Sequence, residues 1–225
     1  MAALVVLAYR MRIALFGSPG VGKGTQASLL EKRRGLKSIS TGNILRAVVD
    51  SGSALGEKVR AYMEDGRLVS GPVVRKLAEE AIAAQGYDQF ILDGYPRTEE
   101  QADWLTAFLG AHGAPLHAVI YLRVPTEVIV NRLSRRRVHR ETGENYHLDF
   151  KLPPPDLDPG LFIQRPDDRP EAIRLRLDIY SQETRPVEQY YRQRGLLFDV
   201  DGVGGFEEVY GRIDAVLKKA ALAVS

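Results

Sequence analysis

Short apolar runs recur along the chain and alternate with stretches of helical pattern. The apolar runs cover residues 12–16, 90–92, 118–124 and 196–200. The helical stretches between and after them cover residues 23–34, 72–84, 99–109, 126–137, 170–194 and 206–222. Strands that alternate with helices in this way predict an α/β fold, in which a parallel sheet carries helices on both faces.

Two regions depart from this alternation. Residues 40–69 resemble short helices around Ser51-Gly52-Ser53 and predict a helical insertion. Residues 138–168 are polar and Pro-rich and predict a small β-like or irregular subdomain, since a long loop is commonly either an active-site lid or disordered. We therefore expect one main domain with an insertion at 40–69, a lid at 138–168 and an N-terminal extension. The extension covers residues 1–10, and the core of the domain covers residues 11–39, 70–137 and 169–225.

The composition excludes several classes of protein. With 225 residues, 44% of them hydrophobic, the chain can bury one substantial core. Its 31 basic and 29 acidic residues nearly balance, so we expect local anion binding rather than a surface built for nucleic acid. The absence of cysteine excludes disulfides and thiolate metal sites and makes the cytoplasm the expected location. No apolar run approaches the roughly 20 residues of a membrane span.

A glycine-rich segment carries the clearest chemical signal. Gly17-Ser18-Pro19-Gly20-Val21-Gly22-Lys23 has the G-x-x-x-x-G-K pattern and lies between a predicted strand and a predicted helix. In such a loop the backbone N–H groups face one phosphate group, while Lys23 neutralises its charge. A purely structural glycine-rich turn is the alternative, which the strand-loop-helix context disfavours. Gly24 replaces the usual Ser or Thr and the hydroxyl follows at Thr25, so the Mg²⁺ arrangement can differ from that of ordinary ATPases.

Further motifs follow in a fixed order. They are Ser40-Thr41-Gly42-Asn43-Ile44-Leu45-Arg46, Leu92-Asp93-Gly94-Tyr95-Pro96-Arg97-Thr98 with Gln101, and Arg136-Arg137-Val138-His139 through Gly143 to Tyr146-His147. With residues 17–26, these motifs resemble the adenylate kinase family, in its long form, from residue 11 to the C-terminal helix. The resemblance implies a P-loop nucleoside-monophosphate-kinase fold. It also implies reversible phosphoryl transfer from ATP to AMP that gives two ADP, with Mg²⁺ bound together with ATP.

The resemblance also implies an AMP site. Thr41 would hydrogen-bond near the adenine, Arg46 and Arg97 would bind the phosphate, and Gln101 would contact the adenine edge. The full set is Thr41, Arg46, Arg67, Leu68, Val69, Gly94, Tyr95, Pro96, Arg97, Gln101, Arg165 and Arg176. Without the resemblance, Ser40-Thr41 also fits a helix N-cap, and residues 67–69 also fit an ordinary helix end. Gly94 and Arg97 follow a predicted parallel strand, and the carboxyl ends of such strands are where doubly wound sheets bind ligands.

For the donor and the chemical step, the resemblance implies two further sets. The ATP set is Gly20, Val21, Gly22, Lys23, Gly24, Thr25, Arg132, Arg136, Asn145, Tyr146 and Gly204. The catalytic set is Lys23, Asp93, Arg97, Arg136, Arg165 and Arg176. Asp93 would lie near the metal and orient its waters, and a helix cap or a surface ion pair is the alternative. Arg132 and Arg136, four residues apart in a predicted helix, would share one face.

Long-form lids can hold zinc on four cysteines, and this chain has none. We therefore expect no structural zinc and no metal held by protein ligands alone. His139 and Thr142, with a later acid such as Asp156 or Asp158, resemble the hydrogen-bonded substitute of zinc-free lids. An exposed His139 is the alternative.

Three other functions compete with this interpretation. A UMP or CMP kinase would share the loop and the fold, but Thr41, Gln101 and the long lid favour AMP. A slow nucleotide-hydrolysing switch explains the P-loop but not two arginine sets aimed at a second phosphate. Nucleic-acid binding through residues 135–140 is disfavoured, because the run is short and lies at the predicted lid hinge. The expected partners are ATP and AMP, without nucleic acid or membrane, and the family resemblance suggests a monomer.

Overall fold

A five-stranded parallel sheet forms the centre of the protein. The computed structural model describes residues 11–222, so the predicted extension at 1–10 lies outside the described residues. The strands are β1 (Arg12–Phe16), β2 (Lys37–Ser40), β3 (Phe90–Asp93), β4 (Ala118–Arg123) and β8 (Leu197–Asp201), which lie in the order β2-β3-β1-β4-β8.

Helices cover both faces of this sheet. They are α1 (Lys23–Arg34), α2 (Thr41–Asp50), α3 (Ala54–Glu64), α4 (Gly71–Ala84), α5 (Glu99–Ala111), α6 (Thr126–Ser134), α7 (Pro170–Ile179), α8 (Pro186–Gln193) and α9 (Phe206–Leu222). Successive side chains of β1 point to opposite faces of the sheet and pack into two separate hydrophobic cores. Ala14 and Phe16 pack into the core with α2, α4, α5 and α8. Ile13 and Leu15 pack into the core with α1, α6 and α9. The predicted α/β fold is confirmed.

Three elements differ from what the sequence predicts. Strand β2 was not predicted, because only Ile39 of its four residues is buried and no apolar run marks it. The helix predicted over 126–137 ends at Ser134, and Arg136 begins a strand whose backbone pairs with His147, so Arg132 and Arg136 do not share a helix face. The helix predicted over 170–194 is interrupted by a π-helical turn at Tyr180–Thr184, and α8 begins at Pro186, where a continuous helix would lose a hydrogen bond.

A second, smaller sheet lies between α6 and α7. Its antiparallel strands are β5 (Arg136–His139), β6 (Asn145–His147) and β7 (Phe162–Ile163), in the order β6-β5-β7. The rings of His139 and Tyr146 both meet the Phe162 ring edge-on, at 5.5 and 5.2 Å between centroids. These edge-to-face aromatic contacts form a small core, in place of the zinc site that stabilises other small domains.

The prediction that an acidic residue such as Asp156 or Asp158 binds His139 is wrong. His139 Nδ1 accepts hydrogen bonds from the backbone N–H groups of Glu141 and Thr142, at 3.3 and 3.2 Å. The Asp158 carboxylate instead accepts the N–H of Gly160 at 2.8 Å, as the cap of a 3₁₀ turn. The alternative is wrong as well, since His139 is buried. Separately, none of the helices in residues 11–222 combines the length and the apolar character that a bilayer crossing requires.

Candidate active site

The carboxyl ends of the parallel strands meet at one edge of the sheet, and the glycine-rich loop follows β1 there. Gly20 has φ +84°, and a Cβ at this residue would lie 2.7 Å from Leu133 Cγ, so only glycine fits. Helix α1 begins after Gly22 without a side-chain cap. Its first N–H groups are therefore available to an anion, and the helix dipole adds positive potential there.

Lys23, the first residue of α1, extends its side chain back to this loop. Its Nζ donates hydrogen bonds to the carbonyls of Gly17 and Ser18, at 2.7 and 3.0 Å. Burial lowers the pKa of Lys23 to about 8; the neighbouring Asp93 opposes the shift, and nearby arginines, foremost Arg97, add to it. Desolvation and like charges both disfavour the ammonium form, and a bound phosphate group would relieve both effects.

The turn after β3 is held by a set of short hydrogen bonds. Thr41 Oγ1 and Arg97 Nε both donate to the Gly94 carbonyl at 2.9 Å. The Arg97 N–H donates to Gln101 Oε1 at 2.8 Å, and the Gln101 N–H donates to the N-cap hydroxyl of Thr98 at 3.2 Å. Gly94 has φ +84°, and a Cβ there would press on Arg97 and Thr41 at 3.1 Å. The turn therefore brings Arg97 and Gln101 together with Thr41.

Two acids after Arg165 organise the arginines above the loop. Asp168 is fully buried and accepts hydrogen bonds from Arg136 Nε and Nη2, at 2.7 and 2.6 Å. It also lies 3.4 Å from Arg176 Nη1, which pairs with Asp167 at 2.9 Å. Asp167 and Asp168 therefore fix the directions of Arg136 and Arg176. They were not assigned a role from the sequence, although two acids directly after Arg165-Pro166 in an arginine-rich chain were a usable signal.

Six cations share this space with three carboxylates. The cations are Lys23, Arg46, Arg97, Arg136, Arg165 and Arg176, and the carboxylates are Asp93, Asp167 and Asp168. Burial, followed by the charges of Arg136 and Arg46, lowers the pKa of Arg165 to about 9. Burial also lowers the pKa values of Arg46, Arg97 and Arg176. An excess of desolvated positive charge at one point is suited to a polyanion.

The cations come from six different places along the chain. Lys23 begins α1 directly after the glycine-rich loop, Arg97 follows β3, and Arg46 lies on α2. The remaining three, Arg136, Arg165 and Arg176, lie on β5, in the turn before α7, and on α7. Because segments far apart in sequence converge here, the arrangement can enclose a ligand from several sides.

Other residues implied for the site lie apart from this cluster. The Arg67 guanidinium is exposed, pairs with Asp65 at 2.7 Å and stacks over the Tyr62 ring. Leu68 is half-buried, and Val69 packs on the core that contains α4. Tyr95, whose peptide bond to Pro96 is cis, is buried in the same core.

Two lid residues of the predicted ATP set face in different directions. Asn145 Oδ1 accepts a hydrogen bond from Arg165 Nη2 at 2.9 Å and so touches the cation cluster. Tyr146 is buried in the small sheet, and its hydroxyl donates to Glu144 at 2.9 Å. The Tyr146 side chain therefore serves the packing of the lid, and its backbone pairs with Arg137 of β5.

On the other side of the glycine-rich loop, Arg132 connects two backbone segments. Its Nη1 donates to the Val21 carbonyl at 3.3 Å and its Nη2 to the Gly202 carbonyl at 3.1 Å. Gly204 lies in the loop 202–206 between β8 and α9. Within the described residues, Gly204 has the one carbonyl of residues 201–206 that accepts no hydrogen bond. This carbonyl is thus free to accept one from a ligand.

The residues near the loop fit a magnesium ion that arrives with a nucleotide. A Cβ at Gly24 would lie 3.5 Å from Asp93 Oδ2, so this carboxylate borders the start of α1. No side chain or N–H group among residues 11–222 donates a hydrogen bond to it. These residues also contain no group of three or more His, Asp or Glu side chains that could hold a metal alone. Mg²⁺ usually takes one or two carboxylates and completes its shell with water and substrate phosphates, which matches this single acid.

Comparisons with known proteins agree with this geometry. The family described as adenylate kinase matches residues 15–196. An adenylate kinase of Salinibacter ruber is 56% identical over 207 residues, which cover 92% of this chain and 98% of that protein. Adenylate kinases of Syntrophotalea carbinolica and Methanosarcina barkeri are 43% and 42% identical, over 92% and 94% of this chain and 98% and 100% of those proteins. The chain therefore belongs to the adenylate kinase family.

Proposed function

We propose that the protein transfers the γ-phosphoryl group of ATP to AMP and so produces two ADP. The observation that carries the proposal is the cation cluster, in which Lys23 and five arginines outnumber three carboxylates. One P-loop lysine suffices for the phosphates of a single nucleotide. Arg46 on α2 and Arg97 after β3 come from other segments of the chain and are suited to the phosphate of a second one.

The chemical step needs no protein base. The acceptor is a phosphate group with a second pKa of about 6, so it is already ionised near neutral pH. One of its oxygens attacks the γ-phosphorus and forms the new P–O bond, while the bond from the γ-phosphorus to the β,γ-bridging oxygen breaks in line. The electron pair of that bond stays on the β-phosphate, which leaves as ADP. Lys23, Arg136 and Arg176 would neutralise the charge that spreads over the transferring group.

The acceptor base is proposed to lie near Gln101. The Oε1 of Gln101 is occupied by the Arg97 N–H at 2.8 Å, which leaves the amide NH₂ group to contact a base. An adenine ring offers nitrogen acceptors to such a donor. Thr41 Oγ1 is held on the Gly94 carbonyl, which also accepts a hydrogen bond from Arg97. These contacts support AMP as the acceptor rather than UMP or CMP.

The donor base is proposed to lie beside Arg132 and the loop 202–206. The free carbonyl of Gly204 can accept the exocyclic amine of adenine, whereas guanine presents an oxygen at the same position and would be repelled. A guanidinium such as that of Arg132 can stack on the base. We therefore propose ATP rather than GTP as the donor.

The region 138–168 is proposed to act as a lid and the region 40–69 as the AMP-binding insertion. Arg136 and Arg165, at the two ends of the lid, reach the same cluster as Arg46 of the insertion. Enclosure by both regions would exclude water, which would otherwise compete with AMP for the phosphoryl group. Mg²⁺, bound to the ATP phosphates with Asp93 orienting its waters, would neutralise phosphate charge.

Two further parts of the proposal concern the cell. The chain has no cysteine and so no disulfide framework that would support secretion, and we propose a cytoplasmic location. We also propose a monomer, because the residues proposed for both substrates come from one chain. Light scattering at assay concentration tests this, and a dimer mass would contradict it.

An acceptor screen tests the proposed function. With ATP and Mg²⁺ present, a coupled assay should consume AMP far faster than UMP or CMP. Equal rates with the three acceptors would contradict the acceptor assignment. Hydrolysis of ATP at a rate that does not depend on any acceptor would instead favour a nucleotide switch.

A further inference from the structure

We propose that Gln26 sets the preference for the donor base by positioning the loop 202–206. This inference rests on the proposed function, because it assumes that the donor base contacts this loop. Gln26 lies on α1, one turn after Lys23, and is 3% exposed. It belongs neither to the glycine-rich pattern nor to the cation cluster.

The side chain of Gln26 makes one hydrogen bond within the described residues. Its Nε2 donates to the Phe206 carbonyl at 3.0 Å, at the point where the loop 202–206 enters α9. Its Oε1 is buried and has no hydrogen-bond partner among residues 11–222. A buried amide whose oxygen is unpaired is unfavourable for packing alone. The contribution of this residue is therefore the position of the Phe206 carbonyl.

The side chains that donate hydrogen bonds to carbonyls of the loop 202–206 leave the Gly204 carbonyl without a donor among the described residues. Arg212 Nη1 donates to the Asp201 and Val203 carbonyls at 2.9 and 2.5 Å, and Arg132 donates to the Gly202 carbonyl at 3.1 Å. Gln26 fixes the far end of the loop, two residues after Gly204. Gly204 has φ +117°, a conformation that glycine adopts readily, so contacts on either side of it rather than the residue itself fix the path of the segment.

The position of the Gly204 carbonyl decides which base can bind. This carbonyl favours a base with an amino group at its edge over a base with a carbonyl there, and it does so only when it points into the site. Without the bond from Gln26, the Phe206 end of the loop can shift and the discrimination should weaken. Gln26 is thus a positioning residue rather than a catalytic one.

Gln26→Met removes the donor but keeps the length of the side chain in an otherwise apolar environment. We expect the ratio of kcat/KM for ATP to that for GTP, measured at saturating AMP, to fall about tenfold, mainly through KM for ATP. The KM for AMP and kcat with ATP should stay within about twofold of wild type. Gln26→Leu, which also lacks the donor, should shift the ratio in the same direction and serves if the Met variant does not fold.

Arg33→Gln is the matched control. Arg33 pairs with Glu207 through two hydrogen bonds of 2.8 and 2.6 Å and so joins the same two helices, α1 and α9, without touching the loop carbonyls. In this variant the ratio of kcat/KM for ATP to that for GTP should equal that of wild type. The inference is overturned if the folded Gln26 variants keep the wild-type ratio, or if Arg33→Gln lowers it equally. Wild-type protein that forms no ADP from ATP and AMP would instead refute the proposed function.

Discussion

The Asp168 carboxylate binds the Arg136 guanidinium through both of its oxygens, at 2.7 and 2.6 Å, while it is itself completely buried. Arg136 lies on the first strand of the small sheet and Asp168 in the turn before α7, so the pair closes the lid region at its base. Because Asp168 also contacts Arg176, one carboxylate orients two of the arginines proposed to bind the transferring phosphoryl group.

Asp168→Asn should lower both stability and activity. The substitution leaves buried guanidinium groups without their counter-charge, a loss of about 3–5 kcal/mol when one partner of a buried pair is removed. We expect a clearly lower Tm and, because Arg136 and Arg176 lose their orientation, a drop in kcat of about 100-fold. Thermal unfolding and the coupled ADP assay measure these effects.

Asp149→Asn is the control for this prediction. Asp149 pairs with Arg135 at a surface where 36% and 46% of the two side chains are exposed. Such pairs contribute about 0–1 kcal/mol, so Tm and kcat should remain close to wild type. Equal losses in both variants would contradict a special role for Asp168.

Lys23→Ala and Arg97→Ala should each lower kcat/KM by at least about 100-fold. Each removes a charge contact with a phosphate group in the transition state, worth roughly 3 kcal/mol. Arg135→Ala, a change of charge near the lid but outside the cluster, should have little effect. Near-native rates in the first two variants would mean that the phosphates lie elsewhere.

The pH dependence of kcat/KM for ATP should reflect the ionisation of Lys23. Since the pKa of Lys23 is lowered to about 8, the free enzyme loses this positive charge as the pH rises through 8. We expect log kcat/KM for ATP to decline above about pH 8 with a slope approaching −1, because this parameter reports on the free enzyme. The value of kcat should decline only at higher pH, since bound phosphates favour the ammonium form and raise its pKa.

Lys23→Arg tests whether the decline belongs to this residue. A guanidinium has a much higher ordinary pKa than an ammonium group and keeps its charge to higher pH at the same position, so kcat/KM should be lower throughout but show no decline near pH 8. A decline with the same midpoint in this variant would assign the titration to another group.

Metal analysis should separate two kinds of metal dependence. Purified protein is expected to contain no stoichiometric zinc, because His139 is engaged by backbone N–H groups and aromatic packing instead. Chelation should therefore leave Tm unchanged, while activity with ATP should require added Mg²⁺. A lower Tm after chelation would contradict the metal-free lid.

The sequence specifies the loop-bearing half of the fold more clearly than the lid. A strand, a glycine-rich loop and α1 are predicted with the observed bounds, because apolar pattern, glycine positions and helix composition agree over residues 12–34. The strand that begins at Arg136 could not be predicted in the same way. Its arginine-rich sequence also suits a helix, and only pairing with β6 and β7 decides between them.

The candidate site shows the same division. Residues within motifs, such as Lys23, Arg97 and Gln101, could be named because their spacing is local. Asp168 and Gln26 act through contacts with residues that are distant in sequence, Arg136 and Phe206 respectively. No local pattern marks such partners, so they emerge only from the folded arrangement.

The central claim is that two nucleotides bind at once, with their phosphate tails end to end above the glycine-rich loop. Calorimetric titration with two adenosines joined by five phosphates measures this directly. We predict one molecule bound per chain, at least about 100-fold more tightly than ATP, with the gain lost in Arg97→Ala. An affinity equal to that of ATP, or one unaffected by Arg97→Ala, would contradict the account.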